Sequence, residues 1–134
     1  MLNPLCSIIV AAYNEENNVR QCLDCLVNQT YENIEVIIVD DGSTDQTSSI
    51  IHTYVQKYSY IKYFYQENSG ASAARKNGLN RVKGDFITFL DCDDEFHLDT
   101  VEKAMKEFEH TGIDIVLFDL HESIDAKNEN FKYK

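Results

Sequence analysis

The sequence predicts an α/β protein built on an open, mostly parallel sheet with helices on both faces. Three observations carry that prediction. Apolar runs of strand length alternate with segments of helical period. The run 34–39 is almost wholly apolar or β-branched, as a strand covered on both faces requires. Three of the strands end in polar clusters, the arrangement in which an open sheet gathers ligand-binding groups along its C-terminal edge.

The first strand is predicted over 7–12, and Asn14 is placed to cap the helix that follows. Glu15 and Glu16 suit a helix N-terminus, and Val19, Cys22, Leu23, Leu26 and Val27 recur at helical spacing. After the strand 34–39, the residues Asp40, Asp41, Gly42 and Ser43 form a turn. Ser43 with Gln46 has the spacing of a capping box that opens a helix through Ile50, Ile51, Tyr54 and Val55. The third strand is predicted over 61–65. Gly70 breaks the pattern, and the small residues Ala71, Ala73 and Ala74 lead through Arg75 to Gly78 in a short helix able to pack closely. A fourth strand, 86–90, runs directly into Asp91, Cys92, Asp93 and Asp94. The next helix carries Val101, Ala104, Met105 and Phe108, stops at Gly112 and yields to a fifth strand over 113–120.

A chain of 134 residues supports one domain with a real core. That domain is expected over 1–120, followed by a polar tail over 121–134 whose composition approaches that of disorder. Twelve Lys and Arg against 23 Asp and Glu leave a net charge of -11, which excludes nucleic acid as a partner because backbone binding needs concentrated positive charge. A small anion remains admissible only through a cation or a local cluster of donors. The apolar runs fall far short of the ~20 residues that span a bilayer, so no transmembrane segment is expected. With no secretory signal, Cys6, Cys22, Cys25 and Cys92 read as reduced, buried thiols of a cytoplasmic protein. His52, His97, His110 and His121 share no metal spacing and read as surface or packing residues.

The chemistry is expected where 13–16, 40–45 and 91–95 end their strands, since parallel strands bring these clusters to one edge. Asp91 and Asp93, supported by Asp94, crowd like charges that raise one another's pKa. A divalent cation resolves the conflict, and oxygen-only donors suit Mg2+ or Mn2+, which complete their shells with substrate phosphates. Without one, a carboxylate and a phosphate ~4 Å apart would repel by about 4 kcal/mol at an effective dielectric of ~20. The alternative is an acidic surface turn that caps the next helix. If Ser43 caps a helix, Asp41 is left free to accept a ligand N–H, and Tyr13 offers a flat ring for stacking. Arg75 and Lys76 read either as surface ion pairs or as phosphate ligands.

Taken in order, the segments SIIVAAYNEE (7–16), NQTY (28–31), EVIIVDDGSTD (35–45), NSGASAARKNG (68–78) and GDFITFLDCDD (84–94) resemble the N-terminal, nucleotide-sugar-binding half of family 2 glycosyltransferases of the GT-A (Rossmann-like) fold. The resemblance covers Cys6 to about Asp99. It implies that Ala11 and Tyr13 line the nucleotide base, that Asp41 contacts the uracil and that Arg75 lies near the pyrophosphate. Asp91 and Asp93 look like the DxD pair that meets ribose and metal, with Asp94 as a substitute, and Glu16 matches the acidic residue of the YNxE pattern. Ala11, Lys76 and Leu98 stand where the family usually has Pro, Asn and Pro.

What the resemblance implies is inverting transfer from a nucleoside diphosphate sugar, UDP-linked, to a glycan or lipid-linked saccharide acceptor in polysaccharide biosynthesis. The intact protein would work in the cytoplasm or at the inner face of the membrane. The family's catalytic base sits in a following, acceptor-binding half and is expected beyond Lys134. Two rivals remain: a donor-binding or assembly module without turnover, and a phosphatase with an aspartyl nucleophile in the DxD. Dinucleotide binding lacks its GxGxxG after the first strand.

Overall fold

The structure, a computed structural model, describes residues 3–110 and 112–117. In chain order the elements are β1 (Cys6–Ala12), α1 (Val19–Val27), β2 (Ile34–Asp40), α2 (Thr47–Lys57), β3 (Ile61–Tyr65), α3 (Ala71–Leu79), β4 (Phe86–Asp91) and α4 (Thr100–Glu107). The strands form one sheet in the order β3-β2-β1-β4, and every pairing is parallel. The chain thus steps outward from β1 to β3 and then crosses back to lay β4 on the other side of β1. That reversal is a topological switch point, and it lies between β1 and β4.

The predicted layering is present. On one sheet face Ile8, Val10, Val36 and Ile38 pack with Val19, Leu23 and Leu26 of α1, Ile51 of α2, and Val101 and Met105 of α4. On the other face Ile9, Ile37 and Val39 meet Ala74 of α3. All seven residues of β2 are buried, as its apolar run requires. Of its two acidic residues, Glu35 accepts hydrogen bonds from Ser7 Oγ at 2.6 Å and the Lys83 amide at 2.6 Å, so this buried carboxylate is satisfied. On this second face α3 lies close to the side chains of β1 and β2. A Cβ added at Gly78 would come 2.5 Å from Ile9 Cγ2, so only glycine lets the helix sit this close.

Three local expectations are corrected. Asn14 does not cap α1; it adopts φ +50 and gives its amide to Ser43 Oγ at 3.0 Å, and the helix begins at Val19. Ser43 and Gln46 form no capping box, because the Ser43 hydroxyl is engaged by Asn14; α2 begins at Thr47, whose amide donates to Asp45 Oδ1 at 2.9 Å. Residues 113–117 are not a strand. An apolar run becomes a strand only where a neighbour pairs with it, and here Ile115 and Leu117 are 76% and 90% exposed. The remainder of that predicted strand, 118–120, and the tail 121–134 lie outside the described residues.

All four cysteines are free and buried. His52, His97 and His110 are exposed, and His121 lies outside the described residues. Among the described residues no helix is long and apolar enough to cross a membrane.

Candidate functional site

Strand register brings the polar clusters together. Ala12 pairs with Asp40 and Ala11 pairs with Asp91, so β1, β2 and β4 end at one level of the sheet. The loops beyond β1 and β2 are laced across their gap. Asp41 donates its amide to the Ala12 carbonyl at 2.8 Å, and the Thr44 amide donates to Asn14 Oδ1 at 2.8 Å. The positive φ of Asn14, tolerated by asparagine, turns its side chain and amide towards this neighbouring loop.

Glu16 belongs to the same lacing. Its amide donates to Asp45 Oδ2 at 3.2 Å, and its own carboxylate accepts the Gln46 amide at 3.0 Å. Asp45 gathers further donors from Thr47, and although burial alone would raise its pKa, these hydrogen bonds hold it below the usual carboxylate range. Tyr13 stands at the mouth of this edge with its ring half-exposed, and Ala11 is half-buried beside β4.

Asp41 is not free. It is 4% exposed, and its Oδ1 accepts from Gln66 Nε2 at 2.8 Å and the Ser69 amide at 2.8 Å. Oδ2 accepts from the Gly70 amide at 2.9 Å and more weakly from Asn68 Nδ2 at 3.4 Å. A carboxylate offers about four acceptor positions, and all are taken by this chain. Burial would raise the Asp41 pKa, yet the bonds from Gln66, Ser69 and Gly70 outweigh it and hold the carboxyl below its ordinary value. Without a ligand, Asp41 is thus held in place by donors of this chain. The preceding Asp40 is also engaged, accepting from the Ser43 amide at 2.9 Å and Tyr63 Oη at 2.7 Å. Burial and then that bond push the Tyr63 hydroxyl up to about 12.

The donors Gln66, Asn68, Ser69 and Gly70 were not anticipated as partners of Asp41. Their signal was the break at Gly70, which has φ +96 and forms the N-cap position of α3. Gly42, at φ +82, lets the two loops touch, since a Cβ there would lie 2.8 Å from the Asn68 nitrogen.

The turn after β4 differs. Asp91, Asp93 and Asp94 are exposed, and each offers a carboxylate oxygen within 4.8 Å of the others. Burial, then the charges of Asp93 and Asp91, raise the pKa of Asp94. The expected pair is present, and Asp94 joins it as a third donor. These hard oxygen donors, poorly supplied with partners, fit Mn2+ or Mg2+. Arg75 reaches the same turn: its Nη2 lies 2.6 Å from Asp91 Oδ1, with the two side chains 39% and 50% exposed. It is both an ion pair and a cation at the acidic cluster. Lys76, next along α3, is exposed. Beneath the turn, Cys92 is buried and hydrogen-bonded to Cys22, whose thiol is held well above its ordinary pKa by that bond and by burial.

Together the edge presents a stackable ring, a cation and three convergent carboxylates within a rigid frame. The family model described as Glycosyl transferase family 2 matches residues 7–134. The chain is 43% identical over 111 residues to the glycosyltransferase GlyA of Streptococcus pneumoniae, covering 83% of this chain and 16% of that protein. It superposes on S. aureus TarS 1-349 in complex with UDP-GlcNAc with a TM-score of 0.74 at 33% identity, covering 78% of this chain and 31% of the other. It is also similar to the mannosyltransferase PcManGT from Pyrobaculum calidifontis in complex with GDP-Man and Mn2+, with a TM-score of 0.76, 26% identity and coverage of 81% and 33%. The chain therefore spans a third or less of these relatives' length.

Proposed function

The chain belongs to glycosyltransferase family 2, and from that premise we propose that it forms the donor-binding part of an inverting transferase using a UDP-linked sugar. The observation that carries this reading is the trio Asp91, Asp93 and Asp94 beside Arg75. Asp91 and Asp93, with Asp94 adjoining, would hold Mn2+ or Mg2+. When bound there, the cation supplies neutralisation of the negative charge that develops on the departing diphosphate.

The chain's own residues do the rest of the binding. Arg75 donates to the pyrophosphate from the side of Asp91. Tyr13 stacks on the base and Ala11 gives it a close, flat wall. Glu16 contributes by holding the loop 13–16 against 45–46, which keeps Tyr13 at the mouth. Asp41 shapes the base side of the cleft through the 66–70 loop. The general base belongs to a segment other than those described, and the acceptor is a glycan or lipid-linked saccharide of polysaccharide biosynthesis. Buried, unpaired thiols suit a cytoplasmic setting, with peripheral attachment at the inner face of the membrane in the intact protein. Family membership removes the rival aspartyl phosphatase.

Calorimetry with Mn2+ and UDP tests the reading. Wild type binds UDP only with the metal present, and Asp93→Ala abolishes that binding. Unchanged Mn2+-dependent affinity in the variant would remove the assignment.

A further inference from the structure

We infer that Gln29 is a positioning residue for the carboxylates of the turn after β4: its side-chain amide ties the segment beyond Asp94 to the end of α1 and so holds Asp93 and Asp94 close to Asp91. This deepens the donor-binding reading and rests on its metal site. Gln29 belongs to the segment NQTY at 28–31, which none of the donor contacts uses.

Gln21, Cys25 and Gln29 follow at four-residue spacing along α1 and just past its end, which sets them on one face. They meet three successive residues beyond the turn. Gln21 Nε2 donates to Glu95 Oε1 at 3.1 Å, the Phe96 amide donates to Cys25 Sγ at 3.2 Å, and Gln29 Nε2 donates to the His97 carbonyl at 2.8 Å. Gln29 is the principal anchor. It is 8% exposed, its Nε2 donates also to the Cys25 carbonyl at 3.0 Å, and its Oε1 accepts the Val101 amide at 3.1 Å in the first turn of α4. Both amide hydrogens and the oxygen are committed, which leaves the side chain one orientation. The next residue adds to the seam, the Thr30 amide donating to the Leu98 carbonyl at 2.9 Å.

On the near side of the turn, Asp91 is held in register with Ala11, and Cys92 is buried in the core that includes Cys22 of α1. Only Asp93 and Asp94 span the gap between Cys92 and the anchored Glu95. A span of two residues fixed at both ends has little freedom to separate charges that repel. Released at 95–98, the same carboxylates would move apart into water. Holding them together before a cation arrives removes the ordering cost from binding. Within the turn the Asp94 amide donates to the Asp91 carbonyl at 2.9 Å, which makes that amide a reporter of the turn's shape outside Gln29's own bonds.

The test uses the full chain with Mn2+ alone and with no metal. Gln29→Met keeps the length of the side chain and removes its three bonds. Its Mn2+ affinity, read by electron paramagnetic resonance, should fall about tenfold, the lower end of what supporting groups contribute at metal sites. Ile61→Val, a core change on β3 at the opposite edge of the sheet, should leave that affinity unchanged. Unchanged affinity in Gln29→Met, or an equal loss in Ile61→Val, would overturn the inference. In metal-free protein, exchange of the Asp94 amide should quicken in Gln29→Met while the amides of β2 keep their rates. Uniform quickening would reduce Gln29 to a general stabiliser, and an unmoved Asp94 amide would refute the inference outright. If Gln29→Met folds poorly, the exposed Gln21→Ala serves: it should lower Mn2+ affinity by roughly two- to threefold with the same local exchange, and the absence of both refutes. If wild type binds no Mn2+, the metal site of the donor-binding reading falls, and the exchange comparison still decides the role of Gln29.

Discussion

Two acidic turns end strands on either side of β1, and they behave in opposite ways. At the end of β2, Asp40 and Asp41 are buried and supplied with donors, and the Asp41 carboxyl sits below its ordinary pKa. At the end of β4, Asp91, Asp93 and Asp94 are exposed and converge on one another, and Asp94 sits above its ordinary value. The contrast shows that carboxylate density alone does not make a metal site. What separates the two is the number of protein donors within reach: four groups surround Asp41, whereas Arg75 is the cation paired with Asp91 at the other turn.

The contrast is easiest to break at its buried end. Asp41→Ala strands the Ser69 and Gly70 amides and the Gln66 amide group, so it should cost about 4 kcal/mol, read as a fall in Tm of about 10 °C or more. The accompanying pH dependence has a definite sign. A carboxyl with a lowered folded pKa stabilises fully above its unfolded value of about 3.9 and loses that contribution as pH falls through the folded value. Urea denaturation from pH 7 to pH 3 should therefore bring wild type and Asp41→Asn closer in stability towards acid; a constant gap would mean that the charge of Asp41 is immaterial.

At the exposed end the larger effect is on binding. Asp93→Ala should weaken Mn2+ alone, measured by electron paramagnetic resonance without nucleotide, by about a hundredfold, on the scale at which altered metal shells lose affinity. The strut between the turns comes next. Gly78→Ala drives a methyl into Ile9 and should cost about 1–3 kcal/mol by chemical denaturation, the usual range for overpacking. The smallest effect sharpens the comparison by its sign: Asp94→Asn relieves repulsion at the exposed turn and should stabilise the metal-free protein by a few tenths of a kcal/mol at low salt, fading as salt rises. A loss of stability there would place Asp94 with Asp41 instead of with Asp93.

Much of this was legible before any coordinates. The apolar run ending at Asp40 and the small residues from Ala71 to Gly78 each declare their element, because one must be covered on both faces and the other must lie close to a sheet. Convergence of the acidic turns followed from parallel pairing, whereas the nearness of Ala11 to Asp91 came only with the strand order. The caps were misread for one shared reason. Ser43 has the local spacing of a cap, but its hydroxyl is claimed by the Asn14 amide 29 residues away, and Asp45 takes up the start of α2 in its place. Residues 113–117 have the composition of a strand, and pairing, which composition cannot supply, decides whether they become one.

By itself the sequence determined the order of the first four strands and of the four helices and the positions of the carboxylates, since periodicity and turn chemistry are local properties. Only the tertiary structure decided which carboxylates are consumed and which stay open. That choice depends on donors arriving from distant parts of the chain: residues 66–70 fold back onto Asp41 and spend its acceptors, while the turn at Asp91 to Asp94 receives the single guanidinium of Arg75 and keeps oxygen to spare.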